Sequence, residues 1–108
     1  MSIIDLSATV VGADGGEIVI ELNGDVDLSS AALITSVVDS ALAEGGPKIT
    51  VDMSGVTFLD SRGIGALLMA HRTAERRGSV LVLRSPTKRT MDVLVMRGCA
   101  TMLSIQPA

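Results

Sequence analysis

Hydrophobic and polar residues alternate twice near the start of the chain. Residues 5 to 11 set Leu6, Ala8 and Val10 on one side and Asp5, Ser7 and Thr9 on the other. Residues 17 to 23 repeat the pattern, with Ile18, Ile20 and Leu22 inward, Glu17, Glu21 and Asn23 outward, and Val19 as the exception. A period of two is that of a strand with one wet face. The short Gly12-Ala13-Asp14-Gly15-Gly16 turn between them predicts an antiparallel hairpin. After Gly24-Asp25-Val26-Asp27 the period changes to that of a helix. It runs from Ser29 or Ser30 to Ala43, carries Leu33, Ile34, Val37, Val38, Ala41 and Leu42 on one face, and ends at Gly45-Gly46-Pro47.

The second half alternates strands and helices. Ile49 to Met53 reads as a strand, followed by a polar turn and a helix opening at Asp60-Ser61-Arg62-Gly63, with Ile64, Leu67, Leu68 and Ala74 inward until Gly78. Ser79 to Arg84 is almost continuously apolar, which predicts a strand covered on both faces. Ser85 then reads as an N-cap with Pro86 at the first helical position, and the helix of Met91, Leu94 and Val95 stops at Gly98. Thr101 to Ile105 completes the set as a short strand. The order predicts an α/β fold: a mixed five-stranded sheet with an N-terminal antiparallel hairpin followed by β-α-β units. Right-handed crossovers between sequential parallel strands put the helices mainly on one face. At 108 residues the chain is expected to form one domain over 1–108.

Composition narrows the chemistry. Phe58 is the only aromatic, so the core is aliphatic and no platform exists for stacking bases or sugars; the methionines read as core filler, with Met91 and Met96 as the alternative lining of a groove at the last helix. A single cysteine, Cys99, excludes an intramolecular disulfide and reads as a small buried residue; with one histidine, His71, it leaves no zinc set. Residues 1–5 lack the basic and apolar regions of a signal peptide, and no apolar run approaches a membrane span. Nine basic residues against twelve acidic ones give a net charge of −3, which disfavours direct binding to nucleic acid or insertion into a membrane. A cytoplasmic monomer is the expectation, since the wet sheet face leaves no extended apolar patch. The pair Asp25 and Asp27 lacks further oxygen ligands for a metal and reads as a loop cap or partner contact.

Ser61 stands at a strand-to-helix junction, where free N–H groups and the helix dipole favour an anion. A nucleophilic role fails because His71 lies on the same helix, about 15 Å away at 1.5 Å per residue. Leu59 also replaces the first glycine of a Gly-x-Ser-x-Gly elbow. What is left is a helix N-cap, a phosphate acceptor, or both. Gly63 and Gly65 lack the third glycine of a dinucleotide fingerprint, having Leu68 in its place, and read instead as points of close approach to the sheet or to a partner.

Val51-Asp52-Met53-Ser54-Gly55-Val56-Thr57-Phe58-Leu59-Asp60-Ser61-Arg62-Gly63-Ile64-Gly65, with the Gly24-to-Asp27 loop and the element order, resembles a STAS domain of the bacterial anti-sigma factor antagonist type. The resemblance covers nearly the whole chain. It implies a non-enzymatic, cofactor-free protein that binds an anti-sigma factor, itself an ATP-dependent serine kinase, and so releases a sigma factor. Phosphorylation of Ser61 would end binding and a serine phosphatase would restore it. The implied partner face comprises Asp25, Asp27, Asp60, Ser61, Arg62 and Gly63. Arg62 departs from the small hydroxyl residue common at its position. The alternative within the same resemblance is a non-switching STAS subunit of a transporter or signalling scaffold.

Overall fold

The computed structural model describes residues 6–14 and 16–107. The expected strand start at Asp5, the reading of residues 1–5 and Gly15 of the hairpin turn lie outside the described residues. The strands are β1 (Leu6–Asp14), β2 (Glu17–Val26), β3 (Lys48–Leu59), β4 (Val80–Arg84) and β5 (Ser104–Gln106). The helices are α1 (Ala31–Ala43), α2 (Ser61–Arg76) and α3 (Lys88–Met96), with 3-10 turns at Leu28–Ser30 and Ala100–Met102. The sheet order is β1-β2-β3-β4-β5; β1 is antiparallel to β2 and every other pairing is parallel. This is the mixed α/β architecture the patterning predicts.

Register explains why the sheet is one-sided. Ile18, Ile49 and Leu81 stand in one row, and Ile20, Val51, Leu83 and Ile105 in the next. These rows join Ile34, Val38 and Leu42 of α1, Ile64, Leu67 and Ala74 of α2, and Leu94 of α3 in a single apolar cluster. Each fully buried aliphatic side chain there contributes about 1.5–3 kcal/mol. The opposite rows, Val19-Thr50-Val82-Ser104 and Glu21-Asp52-Arg84-Gln106, carry polar pairings instead. Glu17 accepts from Thr50 Oγ1 at 2.7 Å and pairs with Lys48, while Arg84 meets Asp52 at 3.0 Å. Val80 is exposed and Val82 only partly buried, so β4 is covered on one face, not two. Val10, expected inward, is exposed because β1 is an edge strand whose register slips between Val10 and Gly12.

The polar turn expected after Met53 is a continuation of β3. Two register slips against β2 account for the misleading sequence, and an aspartate holds each of them. At the first, between Glu21 and Asn23, Asp52 Oδ1 accepts the N–H of Ser54 at 2.9 Å and its hydroxyl at 2.7 Å. At the second, between Gly24 and Asp25, Asp25 Oδ1 accepts the Thr57 hydroxyl at 3.0 Å. β3 therefore stays paired to Leu59 and delivers Asp60 beside the end of β2.

Two other boundaries shift. α3 is capped by Thr87, whose hydroxyl accepts from Thr90 N–H at 3.2 Å, not by Ser85. Ser85 has φ 56 and gives its N–H to the Gln106 carbonyl, so it closes the β4–β5 edge. The last strand begins at Ser104 because Ala100–Met102 forms a 3-10 turn.

Candidate functional site

The site forms where the ends of β2 and β3 meet the starts of the first 3-10 turn and α2. Val26 carbonyl accepts Asp60 N–H at 3.2 Å. Gly63 lies against the same carbonyl so closely that an added Cβ would sit 2.1 Å from it. The first turn of α2 is thus seated on the backbone of β2, and Gly63 is buried beneath the surface formed by its neighbours.

Asp60, not Ser61, is the N-cap. Its backbone is extended (φ −115, ψ 179), which lets its carboxylate fold back to accept Arg62 N–H at 3.0 Å and Gly63 N–H at 2.9 Å. Ser61 is therefore the first helical residue. It is exposed, and its hydroxyl has no hydrogen-bond partner among the described residues. Because Asp60 already occupies two donors of the helix start, a phosphate on Ser61 would find a carboxylate at its side in place of a vacant anion site.

The neighbouring loop is fixed in a similar way. Asp27 Oδ1 accepts the N–H and hydroxyl of Ser29 at 3.0 and 2.6 Å, while Asp27 N–H donates to Ser30 Oγ at 2.9 Å. This reciprocal cap orders the 3-10 turn. It also leaves Leu28 pointing outward, 59% exposed. Asp27, Leu28, Ser29, Asp60 and Arg62 line one open depression of about 590 Å³. On the other flank of Asp60, Phe58, Leu59, Val93, Met96 and Arg97 line a second, of about 310 Å³.

Of the residues singled out in the sequence, Asp27, Asp60 and Arg62 converge on one depression, with Ser61 between the last two in the chain. Asp25 is set back on β2, half-buried and bonded to Thr57. His71 Nε2–H donates to Glu75 Oε1, 2.8 Å away and far from Ser61. Among the described residues no group of three or more His, Cys, Asp or Glu side chains is placed to hold a metal. Leu28, Phe58 and Arg97 are absent from the site as read in the sequence, whereas Met96, read there as an alternative groove residue, does line the second depression. Phe58 carried a signal: the sole aromatic of an aliphatic chain, 48% exposed, is not core. Nor do the methionines all act as filler, since Met53 is buried but Met96 is 84% exposed.

Three carboxylates around this framework titrate below their ordinary range. The Ser29 hydroxyl lowers Asp27. Glu17 is lowered by Thr50 and then Lys48. In Asp52, burial pushes upward but the bonds from Ser54 and Arg84 outweigh it. A folded-state pKa below the unfolded one stabilises the fold above the unfolded value and loses that contribution as pH falls through the folded one. Thermal melts should therefore be flat from neutrality to about pH 5 and fall progressively below about pH 4. Asp52→Asn should shallow that acid limb, and an unchanged limb would show that Asp52 is not among the groups responsible.

The family model described as "Mlab, STAS domain" matches residues 9–104. A protein of Listeria monocytogenes named anti-sigma-B factor antagonist is 22% identical over 103 residues, covering 95% of this chain and 90% of that protein. The unphosphorylated form of the anti-sigma factor antagonist SpoIIAA superposes with a TM-score of 0.70 at 21% identity, covering 94% of this chain and 89% of that one. The structure of SpoIIAA, a Bacillus cell fate determinant, in its phosphorylated form gives 0.67 at 21%, covering 92% and 90%. A sulfate transporter family protein from Wolinella succinogenes gives 0.76 at 23%, covering 89% and 81%.

Proposed function

Since the chain belongs to the STAS-domain family, we propose that it is an anti-sigma factor antagonist, a cytoplasmic binding protein switched by phosphorylation of Ser61. Unphosphorylated, it binds an anti-sigma factor that is also an ATP-dependent serine kinase, so that a sigma factor is released. The kinase phosphorylates Ser61 and the complex dissociates; a serine phosphatase resets the cycle. The observation that carries the reading is the exposed Ser61 hydroxyl, without a hydrogen-bond partner among the described residues, which lies in the chain between Asp60 and Arg62, two residues that line one depression with Asp27. A kinase can reach such a hydroxyl without unfolding anything. Similarity to antagonists over nearly the whole chain adds support.

Chemistry explains why the switch would act on binding and not on folding. A phosphate brings about −1.5 to −2 charge. With the adjacent donors taken by Asp60, that charge stands outward, where a partner must accommodate it next to Asp27 and Asp60. Phe58, Leu28 and Met96 supply exposed apolar anchors on either flank. The test is to purify the protein from its native cells and map phosphate by peptide mass spectrometry. Phosphate on Ser61 that disappears in Ser61→Ala is expected; phosphate confined to other residues rejects the assignment.

A second reading draws on Arg62. An exposed guanidinium next to Ser61 would pair with part of a phosphate's charge and weaken a switch. A non-switching docking subunit of a transporter or scaffold would need no phosphate at all, in keeping with the fold match to a sulfate transporter family protein.

A further inference from the structure

Beyond Arg62, which also lines the depression beside Ser61, helix α2 has a solvent face that neither the core nor the Ser61 switch uses. At 3.6 residues per turn, Arg62, Gly65, Met69, Arg72 and Arg76 fall on one narrow stripe, and all are exposed. The stripe is about 21 Å long at 1.5 Å per residue. None of its arginines joins an ion pair among the described residues. Arg76 bonds only to Thr73 Oγ1, at 3.3 Å. Glu75, at the edge of the stripe, faces His71 instead.

The two glycines of the helix start meet different demands. Gly63 is required by the carbonyl of Val26. Among the described residues, apart from its chain neighbours and the backbone of its own helical turns, no heavy atom lies within 4 Å of the place a Gly65 Cβ would occupy, and its backbone is ordinary helix. Glycine there weakens the helix relative to alanine, and nothing among the described residues requires the side chain to be absent. The vacant space lies between Arg62 and the Met69–Arg72 pair, open to an approaching molecule.

We infer that the Arg62–Gly65–Met69–Arg72–Arg76 face of α2 docks an acidic protein segment whose backbone packs directly over Gly65 while its Asp or Glu side chains meet the arginines. Arginines without ion-pair partners among the described residues, flanking a bare Gly65 that lets a backbone approach closely, are complementary to such a segment. A nucleic acid fits less well. The chain carries a net charge of −3, the stripe has no aromatic to stack a base, and the Arg62 end opens onto Asp27 and Asp60. The inference rests on the proposed reading only in taking the docked segment to belong to the same partner that covers Ser61.

The test places p-benzoylphenylalanine at Met69 of the full chain and photo-crosslinks it in native-cell extract, alone and combined with Arg72→Glu/Arg76→Glu, with Gly65→Ala, or with Ser61→Asp. The expected product is a crosslink to one protein, at a peptide with Asp or Glu within a helical turn of the attachment point, abolished by the charge reversal. Gly65→Ala should raise the melting temperature by roughly 3–6 °C and yet lower the crosslink about tenfold. No crosslink, a crosslink to nucleic acid or to a basic peptide, or one indifferent to both Gly65→Ala and charge reversal overturns the inference. If charge reversal abolishes the crosslink while Ser61→Asp leaves it intact, this surface stands and the Ser61 switch falls. The opposite pattern sinks the surface and keeps the switch.

Discussion

Ser61→Asp should cost the protein its partner and almost none of its stability. Asp at the first helical position places a negative charge at the positive end of the helix, an effect of about 0.3–1 kcal/mol in favour of folding. Repulsion from Asp60 opposes it, and both groups are solvated. The melting temperature should stay within a few degrees of wild type. Binding responds differently, because a partner surface laid over Asp27, Asp60 and Arg62 would enclose the added charge. Like charges brought together at an interface cost several kcal/mol, and about 1.4 kcal/mol is a factor of ten in affinity. Titration calorimetry against the captured partner should show a loss of at least about a hundredfold. A large drop in melting temperature would instead mean that Ser61 supports the fold.

Gly63→Ala should be the most damaging single-atom-scale change near the site. The new Cβ would lie 2.1 Å from the Val26 carbonyl oxygen and 2.6 Å from its carbon. Both are backbone atoms of a paired strand, so no rotamer change relieves the clash. Either α2 lifts from the sheet or β2 bends, and about 3 kcal/mol is lost, the upper end of overpacking costs. In a domain of this size that is a fall of roughly 10–20 °C in melting temperature, readable by thermal denaturation. Gly65→Ala, two residues on, has the opposite sign. A Gly63→Ala protein that melts like wild type would mean that α2 is not seated on Val26.

The periodicity carried most of the architecture because each buried row repeats the same alternation. Ile18, Ile20 and Leu22 read inward in the sequence and are inward in the sheet. What the pattern hid were places where side chains replace backbone pairing. Ser54-Gly55-Val56-Thr57 looks like a turn, yet Asp52 and Asp25 hold the slips that keep it a strand. Ser85-Pro86 looks like a helix start, yet Thr87 can reach Thr90 and Ser85 is committed to Gln106. At the site, the Asp60-Ser61 junction was legible, but which of the two caps the helix was not. That depends on Asp60 being extended, which follows from its N–H bonding to Val26 across the sheet. Leu28 gave no sign of facing solvent because it is an apolar residue within an apolar pattern, whereas Phe58 stood out as the sole aromatic.

On the proposed cycle, a bound kinase phosphorylates Ser61 and thereby loses its hold. The direct measurement is to immobilise wild type and Ser61→Asp in parallel, pass native-cell extract over both, identify what is retained, and then add ATP to the retained complex. An ATP-binding serine kinase is expected on wild type alone, released on ATP addition as phosphate appears on Ser61. Equal retention of transporter or scaffold proteins by both, unaffected by ATP and with Ser61 unmodified, would contradict it.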